Sequence, residues 1–155
     1  MSLTLRPATN DDGEAIRSLV FGVLREHGLE PDPTGTDADL YDIESSYGRG
    51  GGCFDVLVDE SGHVVGSVAL FRISDVEVEL RKMYLLPGLR GQGWGRRLLE
   101  HALARAAERG FRRIVLETAS VLRSAVALYE RFGFRRHHPT HLAARADAAY
   151  FLDLP

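Results

Sequence analysis

The stretch RKMYLLPGLRGQGWGRRLLEHAL, which runs from Arg81 to Leu103, contains the features that decide the fold. Three glycines lie within five residues, between Gly91 and Gly95, and an apolar helical pattern follows them at once. Because glycine has no Cβ, the backbone there can adopt positive φ and approach a ligand closely. Amide N–H groups in front of a helix converge on an anion, and the helix dipole with Arg90 and Arg96 adds positive charge. This stretch therefore predicts a binding site for a pyrophosphate group.

The spacing of the glycines argues against two familiar phosphate-binding loops. A P-loop ends in Gly-Lys-Ser or Gly-Lys-Thr, whereas Gly95 is followed by Arg96. A dinucleotide-binding loop has its third glycine one position later and belongs to an early βαβ unit. Nucleotide binding by this loop is therefore disfavoured.

The strand pattern that precedes the loop changes phase. Its apolar residues occupy even positions up to Leu80 and odd positions from Met83 onward, with Arg81 and Lys82 between them. Side chains of a strand alternate with a period of two, so a phase change implies one extra residue, a β-bulge. The alternative is that Arg81 and Lys82 are only the charged residues of an edge strand.

Strand and helix patterns alternate along the rest of the chain. Strands are predicted at residues 3–6, 54–59, 64–71, 76–86, 113–117, 134–136 and 149–154. Helices are predicted at residues 10–27, 37–47, 94–109 and 120–132, the last with Ser120 as its N-terminal cap. This order predicts an α/β (α+β) protein in which residues 1–155 form a single domain. Its central sheet is mixed and mostly antiparallel, with helices on both faces.

Arg90-Gly91-Gln92-Gly93-Trp94-Gly95 resembles the Arg/Gln-x-x-Gly-x-Gly/Ala signature of the GNAT superfamily of N-acyltransferases, which binds the pyrophosphate of acetyl-CoA. ALYERFGF, at residues 127–134, is similar to the later Ala-x-x-Leu-Tyr-x-x-x-Gly-Phe helix of that family. RKMYLLP stands where the family has a strand ending in Pro, and the element order agrees over nearly the whole chain. The resemblance implies a single-domain GNAT-like fold, splayed at a bulge in the fourth strand, and an acetyl-CoA-dependent N-acetyltransferase.

The resemblance also implies which residues contact acetyl-CoA. In that family the splayed strand accepts the pantetheine arm, and amides freed by the bulge face the thioester carbonyl. The residues implied in cofactor binding are Met83, Tyr84, Leu85, Arg90, Gly91, Gln92, Gly93, Trp94, Gly95, Arg96 and Ala125. One departure is Leu122, which stands where many relatives carry an Asn that contacts the pantetheine arm.

Acetyl transfer to an amine requires a base, because an ammonium group has no lone pair with which to attack. Glu79 is similar in position to a family glutamate that deprotonates the amine, often through water, and Glu77 on the same strand face can substitute. Tyr129 matches the helix tyrosine whose phenol approaches the CoA sulfur, which makes it the candidate acid. The alternative is that both glutamates lie on the wet face of an ordinary strand and that Tyr129 only packs under the sheet.

The acceptor is predicted to be a primary amine, small or amino-acid-like, that attacks the thioester directly in a ternary complex. Residues 1–50 contain 4 Arg and 10 acidic residues, which suits a cationic amine. The candidates for contacting the acceptor are Tyr41 and Tyr47 on the second helix and, for a substrate carboxylate, His141 or Arg145. The alternative function is an acyl-CoA-binding sensor or regulatory module without turnover, which needs neither a base nor an acid.

The composition argues against several other kinds of site and partner. Cys53 is the only cysteine, so no intramolecular disulfide or thiolate cluster is predicted, and a reducing cytoplasm is the expected compartment. The histidines of HHPTH, at residues 137–141, lie in a Pro-containing loop without acidic partners, so no metal site is predicted. A net charge of −3 argues against a nucleic-acid partner, and the lack of an apolar run near ~18 residues argues against a membrane. The family resemblance leaves a homodimer open.

Overall fold

A seven-stranded sheet crosses the protein in the computed structural model, which describes residues 2–155. In chain order its strands are β1 (Thr4–Pro7), β2 (Cys53–Val58), β3 (Val64–Arg72), β4 (Glu77–Leu85), β5 (Arg113–Thr118), β6 (Arg135–His137) and β7 (Ala148–Asp153). In space they follow the order β1-β2-β3-β4-β5-β7-β6. Among these strands, β4 and β5 pair in parallel and the other neighbours pair in antiparallel fashion. The prediction of a mixed, mostly antiparallel sheet is confirmed.

Helices cover both faces of the sheet: α1 (Gly13–Glu26), α2 (Trp94–Glu108) and α3 (Arg123–Arg131). The apolar stripe of α1, which includes Ile16 and Val20, packs over β3 and β4 on one face. The stripes of α2 and α3, which include Leu98 and Leu128, pack on the other face against a second cluster of buried side chains. Within residues 2–155, no helix combines the length and the apolar character that crossing a membrane requires.

Short helical turns replace the predicted second helix. Ala38–Tyr41 is a 3-10 turn and Glu44–Gly48 is a π-helical turn, with an extended backbone at Asp42 between them. The Asn10 side chain donates a hydrogen bond to the Asp42 carboxylate at 3.1 Å, and the Asn10 N–H donates to Glu44 at 2.7 Å. These contacts with the start of the chain stabilise the break. Further 3-10 turns are Asn10–Asp12 and Pro87–Leu89.

The prediction that Ser120 caps the last helix is wrong. Ser120 donates hydrogen bonds from its N–H and its hydroxyl to the carboxylate of Asp147, both at 2.7 Å. The helix α3 begins three residues later, at Arg123, after Leu122. The serine side chain therefore ties the end of β5 to the start of β7 and leaves α3 without a side-chain cap.

The bulge predicted in the fourth strand is present. Two pairs of the β3–β4 ladder, Ala69 with Arg81 and Ser67 with Tyr84, leave one residue of β3 opposite two residues of β4. One of these two is Lys82, whose φ of +53° lies in the left-handed region. The extra residue moves the apolar side chains from even to odd positions, which explains the phase change in the sequence.

The strands β4 and β5 separate shortly after they meet. Their ladder covers three residues of β4, Glu77 to Glu79, although β4 continues to Leu85. The strand β5 remains paired with β7 along its whole length, from Arg113 to Thr118. A wedge therefore opens beyond Glu79, where β4 and β5 no longer pair with each other.

Candidate active site

The wedge between β4 and β5 opens into a cavity of about 860 Å³, a volume typical of small-molecule sites. The segment of β4 from Glu79 to Leu85 forms one wall, and the end of β5 with α3 forms the opposite wall. The helix α1, residues 35–39 and residues 141–146 complete the wall on the other face of the sheet. Across residues 2–155, no group of three or more His, Cys, Asp and Glu side chains is arranged to hold a metal ion.

The part of the cavity on the α2 and α3 side is apolar. Its wall includes Met83, Leu85, Leu98, Ala125 and Leu128. Gly95 leaves room beside this wall, since a Cβ there would lie 3.7 Å from Leu128 Cδ2. An apolar surface beside an unpaired strand edge fits an extended arm that brings its own amide groups.

The glycine-rich loop has the backbone geometry that its sequence predicts. Gly91 has a φ of +77° and Gly93 a φ of +86°, both in the region that side chains other than glycine adopt only with strain. Gly93 is the N-cap of α2, so no side chain occupies the first amide groups of this 15-residue helix. Those N–H groups lie at the positive end of the helix and can bind an anion.

The loop residues differ in their relation to the cavity. Gly95 and Arg90 belong to its wall, and the residues outside the wall are Gly91, Gln92, Gly93, Trp94 and Arg96. Gln92 Nε2 donates to the Gly88 carbonyl at 3.0 Å, and Arg96 lies 3.6 Å from the carboxylate of Glu100. Both side chains therefore contact their own loop or helix, and the amide groups are what the loop presents.

Arg90, the first residue of the glycine motif, is already paired with a carboxylate. Its guanidinium binds Glu26 at two points, and Nη2 also donates to the Leu85 carbonyl at 3.2 Å. The hydrogen bond from Arg90 lowers the pKa of Glu26. A phosphate that approaches Arg90 must therefore compete with Glu26.

Glu79 lies at the last pair of the β4–β5 ladder, where the wedge begins. Its carboxylate lines the cavity, and its Oε1 accepts a hydrogen bond from Arg81 Nε at 2.6 Å. The Arg81 guanidinium stacks on the Phe71 ring at 3.9 Å, which fixes the orientation of the pair. Glu77 lies two residues earlier, in the closed part of the ladder and outside the cavity wall. The geometry therefore favours Glu79 over Glu77 as the carboxylate that reaches a substrate.

Tyr129 contributes to the cavity wall from α3. The residue is 6% exposed, and its ring packs beside Phe134 and Tyr150 with centroid distances of 5.7 and 6.3 Å. Burial raises the pKa of Tyr129, with a smaller contribution from the nearby Tyr84. The phenol therefore stays protonated at neutral pH, which is the form that can donate a hydrogen bond.

Two of the four candidate acceptor contacts line the cavity. His141 and Arg145 belong to its wall, on the segment that precedes β7. Tyr41 is 54% exposed and lies outside the wall. Tyr47 is 1% exposed, packs in the core and donates its hydroxyl proton to Asp39. The structure does not bring Tyr41 and Tyr47 to the site, because the two helical turns direct one ring to solvent and the other into the core.

Asp37, Lys82 and Arg145 form a buried ion cluster beside the cavity, and no pattern in the sequence predicts it. Asp37, 0% exposed, accepts hydrogen bonds from Lys82 Nζ at 2.7 Å and from both terminal nitrogens of Arg145 at 2.7 and 2.8 Å. Burial acts to raise the pKa of Asp37, but the hydrogen bonds from Arg145 and Lys82 outweigh it and lower the pKa to about 2. The carboxylate that Arg145 binds is thus that of Asp37. The partners lie 45 and 108 residues apart, so no local motif links them.

Comparison with known proteins gives a consistent result. Residues 18–134 match the model of the acetyltransferase (GNAT) family. An uncharacterized N-acetyltransferase of Escherichia coli, YjgM, is 37% identical over 138 residues, which cover 86% of this chain and 82% of that protein. The structure of a GNAT-family acetyltransferase from Staphylococcus aureus Mu50 covers 99% of this chain and 100% of its own, with a TM-score of 0.92 at 22% identity. A phosphinothricin acetyltransferase from Sinorhizobium meliloti, in complex with AcCoA, covers 99% of this chain and 89% of its own, with a TM-score of 0.75 at 22% identity.

Proposed function

The chain belongs to the acetyltransferase (GNAT) family and is an acetyl-CoA-dependent N-acetyltransferase, and we propose that it acetylates the primary amine of a small or amino-acid-like molecule. One observation carries the proposal: Glu79 and Tyr129, from two separate elements, line the same cavity at the point where β4 and β5 separate. The first is a base for the amine, and the second is a donor for the sulfur that leaves.

The proposed position of acetyl-CoA follows from the loop and the wedge. The pyrophosphate binds the amide groups between Gly91 and Gly95 and the N-terminus of α2, with Arg90 as a cation in the cavity wall. The pantetheine arm lies in the wedge, against the apolar wall near Met83 and Ala125. The positive φ angles of the loop and the unpaired edge of β4 support this arrangement.

The proposed reaction is a direct attack within a ternary complex. The amine nitrogen forms a bond to the thioester carbon, the C–S bond breaks, and the amine proton passes to Glu79, directly or through water. A lysine-like amine with a pKa of ~10.4 is neutral about once in several thousand at pH 7, which corresponds to a barrier of roughly 4–5 kcal/mol. A base at this position lowers that barrier by taking up the proton as the amine attacks.

The bulge and Tyr129 are proposed to act on the two atoms where negative charge develops. The backbone amides between Met83 and Leu85, on the part of β4 that β5 does not pair, polarise the thioester carbonyl. The Tyr129 phenol donates a hydrogen bond to the departing sulfur. A thiolate with an ordinary pKa of ~8.5 leaves with little help, so the contribution of Tyr129 to the rate is modest.

Charges of both signs on the α1 side of the cavity support an amino-acid-like acceptor. Glu79 and Asp39 provide carboxylates, and Arg81 and His141 provide groups that can bind a substrate carboxylate. Arg145 contributes less to such binding, because its guanidinium is occupied by Asp37. An ammonium beside Glu79 and a carboxylate beside Arg81 would satisfy both ends of a zwitterion.

The test is the release of free CoA from acetyl-CoA with a panel of acceptors. The panel contains free amino acids, alkylamines of equal length without a carboxylate, and a short peptide with a free N-terminus. The same panel with Glu79→Gln measures the background. We expect release with at least one primary amine, and the largest kcat/KM with an amino acid. If the wild type binds acetyl-CoA by calorimetry and no amine of the panel releases CoA, the proposed acceptor class is overturned and the alternative of an acyl-CoA-binding sensor is favoured.

A further inference from the structure

Lys82 combines an unusual backbone with a buried charge. Its φ of +53° is the only positive φ of a residue other than glycine in the described part of the chain. This conformation costs roughly 1–2 kcal/mol for a residue with a Cβ. The Lys82 side chain is 5% exposed, although an ammonium group is rarely buried. Neither feature is needed to make a bulge, since a glycine would adopt this backbone without cost.

Both ends of Lys82 are held in place. Its carbonyl oxygen accepts a hydrogen bond from Ser67 Oγ on β3 at 2.7 Å. Its Nζ donates to Asp37 Oδ1 at 2.7 Å and to the Thr36 carbonyl at 3.2 Å, and lies 3.5 Å from Asp39 Oδ1. The ammonium thus has two hydrogen-bond acceptors and a second carboxylate nearby, and the strained backbone is fixed from two directions.

The carboxylate of Asp37 connects three segments around the cavity. Asp37 lies on the segment 35–39, Lys82 on the bulge of β4, and Arg145 on the segment 141–146. Arg145 donates both terminal nitrogens to Asp37, which makes Asp37 the centre of the cluster. The charges of Lys82 and Arg145 are balanced by those of Asp37 and Asp39. Moving any one of these walls requires breaking a buried ion pair.

We propose that Lys82 is a positioning residue: it fixes the bulge so that the amides between Met83 and Leu85 stay directed at the acyl carbonyl. This inference rests on the proposed function, which assigns those amides as the donors. Lys82 does not act as a base in this role, because its Nζ donates to Asp37 and Thr36 and an ammonium has no lone pair to accept a proton. The buried pair with Asp37 holds the strained backbone where the reaction needs it.

The test uses two substitutions and one matched control. Lys82→Met removes the charge and keeps the length of the side chain. Lys82→Gly removes the anchor and also the backbone strain, so it is expected to fold even where the methionine variant does not. Arg113→Met is the control, because it removes a cation from an exposed pair with Asp153 in the neighbouring strand.

The readout is the infrared band of the thioester carbonyl in bound acetyl-CoA labelled with ¹³C at that carbon, together with kcat and the calorimetric Kd of CoA. In the wild type we expect the band at lower wavenumber than in free acetyl-CoA, because donors polarise the carbonyl. In both Lys82 variants we expect the carbonyl band to return to the position of free acetyl-CoA. Their kcat should fall at least tenfold, and their Kd for CoA should stay within about threefold of the wild-type value. Arg113→Met should retain all three values.

The outcomes separate the inference from the proposed function. A shifted band in the wild type that persists in Lys82→Gly, with an unchanged kcat, overturns the positioning role alone. A wild type that binds acetyl-CoA with an unshifted carbonyl band overturns the proposed amide donors, and the inference with them. Parallel losses of CoA affinity and kcat in both variants also overturn it, since a general structural defect would give that pattern.

Discussion

Arg90 and Glu26 form a two-point ion pair that joins the glycine loop to the C-terminal end of α1, with Arg90 Nη2 at 2.9 Å from Glu26 Oε1. The arginine that heads the phosphate-binding motif thus already has an anionic partner. Both side chains are about one-third exposed, so water and salt weaken the pair. Under the proposed function, we expect the binding of CoA to exchange this pair for one between Arg90 and a phosphate.

We expect Glu26→Gln to strengthen CoA binding by about twofold to fivefold. The variant frees Arg90 from a competing carboxylate, and an exposed pair of this kind is worth about 0.5–1 kcal/mol. Isothermal calorimetry with CoA at low and at physiological salt measures the effect. Glu30→Gln removes the same charge from an exposed residue nearby, and an equal gain in that control would show that only the net charge matters.

Glu79→Gln should lower kcat by about 10²–10⁴-fold with little change in the KM for acetyl-CoA, because the amide cannot accept the amine proton. The rise of kcat/KM with pH should become steeper at high pH, where the free amine no longer needs a base. Steady-state CoA release between pH 6 and 10 provides the measurement. Glu77→Gln is the matched control on the same strand face, and a wild-type pH profile in Glu79→Gln would contradict the assignment.

The Tyr129→Phe substitution should lower kcat by about threefold to tenfold and leave the Kd of CoA unchanged. Burial raises the pKa of Tyr129, so the phenol remains a neutral donor throughout the working pH range. The pH profile of the variant should therefore keep the shape of the wild type. Tyr41→Phe, which removes an exposed hydroxyl outside the cavity, serves as the control. A rate loss near 10³-fold would require a larger role for this hydroxyl than a hydrogen bond to sulfur.

A Gly93→Ala variant should lose about 1–2 kcal/mol of unfolding free energy and about tenfold in CoA affinity. The position has open space but a φ of +86°, so the added methyl group opposes the backbone conformation and meets no neighbour. Gly88→Ala is the control, because it also has open space and lacks a positive φ. Urea unfolding and calorimetry measure the two quantities, and equal losses in both variants would contradict the argument.

Acid should weaken the fold through Asp37. Its folded pKa of about 2 lies below the ordinary 3.8, so its contribution is complete above about pH 5 and disappears as the pH falls towards 2. The depressed pKa corresponds to about 2 kcal/mol. At pH 7 the Asp37→Asn substitution should lower the free energy of unfolding by more than about 2 kcal/mol, because two buried cations lose their partner.

Urea unfolding of the wild type and of Asp37→Asn between pH 5 and pH 2 isolates this contribution. The difference in unfolding free energy between the two proteins should shrink by about 2 kcal/mol over that range. Asp75→Asn, whose side chain is 93% exposed, should follow the wild type. A constant difference between wild type and Asp37→Asn would show that Asp37 has an ordinary pKa in the folded protein.

The elements that the sequence predicts well are those written in local patterns. The phase change around Arg81 and Lys82 identifies the bulge, because alternation in a strand has a strict period. The glycines at 91 and 93 identify the loop, because positive φ selects that residue type. The order of strands and helices follows from apolar periodicity, which burial on the two faces of the sheet imposes on the chain.

The elements that the sequence does not reveal depend on distant contacts. Lys82 reads as a solvent-facing charge, yet it is buried because Asp37 approaches it from 45 residues away. Ser120 has the composition of a helix cap, but Asp147 provides a stronger partner. Tyr47 follows a helical period, and the break at Asp42 turns it into the core instead. In each case a tertiary partner decides between two local possibilities of similar energy.

The ion cluster of Asp37, Lys82 and Arg145 also restricts how the gene can evolve. Replacing Asp37 by a neutral residue leaves Lys82 and Arg145 without their shared partner in the interior, and replacing either cation changes the charge balance around Asp37. Descendants of this sequence are therefore expected to keep the trio intact or to replace it together. In an alignment of relatives, we expect positions 37, 82 and 145 to covary.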